Sequence, residues 1–208
     1  MRTWMGLALA AGMVAAAGLG VAFSQTRVDP ATGPATRAPV AVAAAVARPR
    51  SAVDWQGAVG GLRRSGGAGD NLAANLDRAA VDRTRLPILL PVDAKLTAGA
   101  RIYSFGDYYT ITADAKGAGV SLSGTTAVIP TAKPLKVEVG PESLTVQRTV
   151  DGQLASFVRY GVLYTVEVRC DAPGDLRCAD DNYVLGLVGK TTAVVLGAAA
   201  RAEAGLGG

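Results

Sequence analysis

SFVRYGVLYTVEVRCDAPGDLRCADDNY, residues 156–183, is the stretch most committed to a structure. Val158, Tyr160, Val162, Tyr164, Val166 and Val168 occupy every second position, with Arg159, Gly161, Thr165, Glu167 and Arg169 between them. That is the two-residue period of a strand with one buried face, and Cys170 continues the apolar row. Pro-Gly turn chemistry follows over residues 171–175. The only other cysteine, Cys178, comes next, so a disulfide between Cys170 and Cys178 would close a short loop at the strand's end.

Upstream of this strand the chain reads as hairpin-like segments. Residues 86–91, LPILLP, are apolar between two prolines and suit an edge or first strand that lacks two backbone donors. Residues 100–105 and 108–114 flank Gly106-Asp107, and 120–129 follows a turn at 116–119. Residues 137–139 and 144–149 flank Gly140-Pro141, and Asp151-Gly152 leads into the long strand. Consecutive strands joined by short turns imply antiparallel pairing.

Helices are expected on either side of the sheet. Asp70 can cap a helix over 70–82, with Leu72, Leu76 and Ala79 or Ala80 on one face. Val184, Leu187, Val188 and Thr191 are spaced for a second helix, whereas the β-branched run from Thr191 suits a strand equally well. The fold class is thus α+β: an antiparallel sheet with one or two short helices, a disordered N-terminal tether and one disulfide. The expected divisions are a leader over 1–24, a tether over 25–69, a short helix within 70–85, a globular domain over 86–197 and a flexible tail over 198–208.

The leader has one arginine, a long Ala/Gly/Leu/Val run and small residues at Ala22 and Ser24. It reads as a secretory signal cut between Ser24 and Gln25, with an uncleaved membrane anchor as the alternative. The Pro-, Ala- and Gly-rich tether buries too little apolar surface to offset its ordering entropy, although Trp55 is an odd residue to leave in water. Residues 25–85 hold nine Arg against five Asp, a net of +4, while residues 86–208 hold eleven basic against twelve acidic residues, a net of −1. A near-neutral folded part argues against a nucleic-acid partner.

The chain contains no histidine. This removes His-dependent nucleophile systems and nearly all zinc sites. No metal site and no cofactor are implied; Asp171, Asp175, Asp180, Asp181 and Asn182 do not follow a calcium-loop register and are better read as turn and cap residues. No catalytic residue can be named, although Asp107, Glu138, Glu142 or Glu167 could in principle pair for glycosidic chemistry. The candidate binding residues are the aromatic cluster Tyr103, Phe105, Tyr108 and Tyr109 at one turn, and an outward row of Arg159, Glu167 and Arg169. The expected function is an exported, periplasmic or secreted, non-enzymatic cell-envelope module for binding or assembly. Its partner would be an envelope protein or polysaccharide, with membrane contact only through residues 1–24 if these are retained. The alternative is a histidine-free, carboxylate-based enzyme acting on glycans.

Overall fold

The computed structural model describes residues 49–129 and 141–207. The leader, its cleavage point at residues 24 and 25, the tether up to residue 48 and the strand expected at 137–139 lie outside the described residues.

The long strand is two strands. Gly152–Arg159 and Val162–Cys170 pair antiparallel about a two-residue turn, Tyr160-Gly161, with Arg159 opposite Val162. Both turn residues have positive φ, 54° and 71°, the backbone of a type I′ hairpin turn whose twist matches that of the flanking strands. The turn reverses parity. Val162, Tyr164, Val166 and Val168 face the core as expected, but upstream the core set is Gln153, Ala155 and Phe157, and Val158 is exposed.

These two strands belong to a six-stranded antiparallel sheet. In chain order its strands are β2 (Arg101–Ser104), β3 (Tyr108–Ala115), β4 (Ala118–Thr125), β5 (Thr145–Arg148), β6 (Gly152–Arg159) and β7 (Val162–Cys170). Their spatial order is β2-β3-β4-β7-β6-β5. A second, two-stranded sheet pairs β1 (Ile88–Pro91) with β8 (Thr191–Val195). Thus the segment after Tyr183 is both things its sequence suggested: a helix over Asn182–Lys190, then a strand from Thr191.

The helices are short, as expected, but seven stand among the described residues where the sequence suggested one or two. They are α1 (Trp55–Ser65), α2 (Ala68–Ala73), α3 (Arg78–Arg83), α4 (Ala94–Ala98), α5 (Leu176–Ala179), α6 (Asn182–Lys190) and α7 (Ala198–Glu203). Residues 55–65 and 68–73 correct the reading of 51–69 as tether. The glycines there allow close packing: a Cβ on Gly61 would run into the Tyr160 hydroxyl and the Val194 side chain, and one on Gly69 into the Val194 carbonyl. Trp55 packs partly buried against the core. The helix expected over 70–82 is split: Asp77, not Asp70, caps α3, its carboxylate accepting from the Ala80 N–H at 2.8 Å. The expected flexible tail contains α7, whose Ala200 is fully buried and whose first N–H donates to Asp82.

One face of the six-stranded sheet carries the core. Ile102, Tyr109, Ile111, Leu122, Phe157, Tyr164 and Val166 meet β1, β8 and the helices there. β1 is buried throughout its Ile88, Leu89 and Leu90, so backbone groups on its unpaired edge need partners away from water. Two tyrosines from the large sheet supply them: the Leu89 N–H donates to the Tyr109 hydroxyl at 3.0 Å, and the Tyr164 hydroxyl donates to the Pro87 carbonyl at 2.9 Å. Between these tyrosines in register stands Gly124, where a Cβ would strike the Tyr109 ring. Burial raises the pKa of both phenols well above the ordinary 10.0.

The disulfide is formed. Cys170 at the end of β7 joins Cys178 in α5 across a Cα–Cα distance of 6.3 Å. Gln153, fully buried on β6, donates through its amide to the Cys178 and Asp180 carbonyls and so ties the bridged loop to the sheet.

Candidate binding face

Strand alternation leaves the other face of the six-stranded sheet outside the core. Among the described residues, none of its non-glycine side chains belongs to the buried set, and none of them belongs to the core cluster or is packed against it. The register aligns its residues in rows across the strands. One row runs Tyr103, Thr110, Ser123, Thr165, Ser156, Thr145, and every member carries a hydroxyl. With strands about 4.8 Å apart, the row spans roughly 24 Å. Ser156 and Thr165 share a hydrogen bond at 3.3 Å. Thr110, Ser123 and Thr145 make no side-chain hydrogen bond to another described residue.

The flanking rows differ in character. On one side lie Arg101, Thr112, Ser121, Glu167, Leu154 and Gln147. On the other lie Tyr108, Thr125, Leu163 and Val158, of which Tyr108, Leu163 and Val158 are each 40% exposed. Phe105 and Tyr103, 74% and 48% exposed, extend this apolar border at the β2–β3 turn, and the Phe105 and Tyr108 rings stack with centroids 6.0 Å apart. Of the aromatic cluster, therefore, three members face solvent at one corner of the sheet. Tyr109 does not join them: parity turns it into the core.

The outward row of Arg159, Glu167 and Arg169 is not a row. The turn at Tyr160-Gly161 puts Arg159 on the core side of the sheet, its guanidinium 5.0 Å from the Phe157 ring centroid and bidentate to Glu142 at 2.7 Å. Glu142 raises the Arg159 pKa through that hydrogen bond. Glu167 and Arg169 do share the open face, Arg169 being held by Asp151 at 2.6 Å. The Arg169 hydrogen bond in turn lowers the Asp151 pKa.

Of the acidic residues weighed for other chemistry, Asp107, Glu142, Asp175 and Asp180 are engaged in turns and ion pairs. Asp107 meets both Arg50 and Arg85, at 2.5 and 2.7 Å. Asp175 caps α5 through the Arg177 N–H and pairs with the Arg177 side chain, which brings its pKa down to about 2. Asp180 accepts from the Asn182 N–H at the start of α6. Glu138 lies outside the described residues. Among the described residues no cluster of three or more Cys, Asp or Glu side chains is arranged to hold a metal ion.

No family model matches the chain. Nor does any curated protein or solved structure. The geometry itself therefore carries the functional reading. Its central feature, the hydroxyl row, escaped the sequence because register is not written in it. The signal was nonetheless present: Thr110 and Thr112, and Ser121, Ser123 and Thr125, each alternate with core residues.

Proposed function

We propose that this chain is an exported, non-enzymatic module of the cell envelope or secreted space, and that it works by binding through the open face of its six-stranded sheet. The observation that carries the reading is the register-matched polar face with its aromatic corner. An antiparallel sheet commonly leaves one polar face to water, so what sets this face apart is the exposed aromatic corner of Tyr103, Phe105 and Tyr108 beside an unbroken row of hydroxyls. The face is too hydroxyl-rich for a buried core and too aromatic at one corner for inert surface. Export is supported by the composition of residues 1–24 and by the disulfide, which belongs to oxidising compartments.

Two measurements test it. N-terminal sequencing of the protein recovered from its source should begin at Gln25; recovery from the cytosol with both cysteines as free thiols would refute export. Isolated envelope should co-sediment the protein, and Thr165→Arg, at the middle of the face, should release it. Equal retention of the variant would refute the assignment of the face.

A further inference from the structure

We propose that the hydroxyl row is a binding track for a neutral, extended β-linked polysaccharide, with Tyr103 and Tyr108 as its stacking platform. This rests on the reading of the open face as a binding surface and adds the chemistry of what binds. Hydroxyls both donate and accept, as do those of a sugar, so a row of them can follow a glycan whichever way its hydroxyls turn. Backbone groups of β3, β4, β6 and β7 are used in ladders on both sides, which leaves side chains to do the recognising.

Spacing and charge narrow the class. The strand repeat of about 4.8 Å is close to the length of one pyranose ring in an extended chain, so successive sugars would meet successive strands. Charges on the face offset one another: Arg101 and Arg169 stand against Asp114 and Glu167, and Arg169 is already held by Asp151. A polyanion would therefore find no net attraction. At the β2–β3 corner, Tyr103 closes the hydroxyl row and Tyr108 lies diagonally across the strand pair from it. Both are exposed, and their rings can stack against the C–H face of a sugar at low entropy cost.

The test is isothermal titration of the exported chain with cellohexaose and chitohexaose, with the corresponding trisaccharides and with polygalacturonate as a polyanion. Saturable binding of at least one neutral hexasaccharide is expected, weaker for its trisaccharide and absent for the polyanion. Thr165→Val, which keeps the side chain's shape, should weaken binding about fivefold, the loss of one net hydrogen bond. Tyr103→Ala should weaken it about tenfold, in line with a lost aromatic contact. No hexasaccharide binding at millimolar concentration, binding indifferent to both substitutions, or preference for the polyanion would each overturn the proposal. So would retention on native envelope that protease treatment of the envelope abolishes, which would mark a protein partner. The two readings fail separately. Envelope binding that Thr165→Arg abolishes, without hexasaccharide binding, sinks the ligand class alone. Envelope binding indifferent to Thr165→Arg sinks both.

Discussion

Exchanging Gly61 for alanine asks whether α1 is packed as described or is loose chain. In an exposed helix the substitution stabilises by about 1 kcal/mol, because alanine loses less backbone freedom. Here the new methyl would lie 2.8 Å from Val194 Cγ2 and 3.1 Å from Tyr160 Cζ, with the Tyr160 hydroxyl closer still. Val194 is fully buried and has nowhere to go. Overpacking of this kind costs about 1–3 kcal/mol, so the net effect should be a destabilisation of about 1 kcal/mol. Gly60 is the internal control. Its Cβ would meet only Arg64 Nη1 at 3.3 Å, the far end of a flexible side chain, so Gly60→Ala should stabilise by up to about 1 kcal/mol. Urea unfolding followed by circular dichroism should separate the two variants by about 2 kcal/mol, in opposite directions from the native protein. Adding Tyr160→Ala should shrink the Gly61→Ala penalty. Equal stabilities, or a Gly61→Ala protein more stable than the native one, would refute the close approach of α1 to the hairpin and to β8.

Tyr164→Phe keeps the ring and removes the donor to the Pro87 carbonyl, so it should cost about 1–3 kcal/mol in the same urea assay, as expected for a stranded buried acceptor. Tyr109 and Tyr164 both have pKa values raised by burial; the unfolded chain therefore gives up their protons first. Their contribution is intact below the ordinary phenol pKa of 10.0 and declines as pH rises beyond it, which absorbance-monitored unfolding between neutral and alkaline pH should show. Reducing the Cys170–Cys178 bridge should lower stability by about 2.5 kcal/mol, the chain-entropy value for so short a loop; unchanged urea midpoints with and without reductant would contradict it. Asp175 has its pKa depressed to about 2 by Arg177, so the stability it contributes is present above the ordinary 3.8 and lost as pH falls toward 2; an NMR titration should place its midpoint there, and Arg177→Ala should raise it only part of the way, because the backbone N–H of residue 177 still donates to the carboxylate.

Much of the sheet was readable from residues 86–170 because turn chemistry is local. Gly106 at the β2–β3 turn and Gly117 at the β3–β4 turn both take positive φ, as glycine at a tight turn does. The β6–β7 hairpin was hidden because Tyr160-Gly161 lacks the Asn or Asp that usually announces a type I′ turn, and because valines before and after it happen to keep one alternation. That single miss displaced Val158 and Arg159 to the wrong faces, and with Arg159 one of the three members of the supposed outward row. The glycines at 57, 60, 61 and 69 misled in another way. Composition alone cannot distinguish a glycine that frees the chain from one that lets a tyrosine ring or a carbonyl come close. The fates of Tyr108 and Tyr109, neighbours on opposite faces, followed from a parity that only the partner strands set.

The pairing of Ile88 with Val195 joins two strands that lie far apart in the chain. Val194 lies under both Gly61 of α1 and Gly69 of α2. Until β8 is in place, α1 and α2 lack the surface on which they pack and β1 lacks its paired strand, although β1 can still meet Tyr109 and Tyr164 of the large sheet. The layer on the core side of the large sheet is therefore closed by contacts distant in sequence, the kind that form more slowly than local hairpins. Cutting the chain after Lys190 would remove β8 and α7 together and leave β1, α1 and α2 without the strand they share.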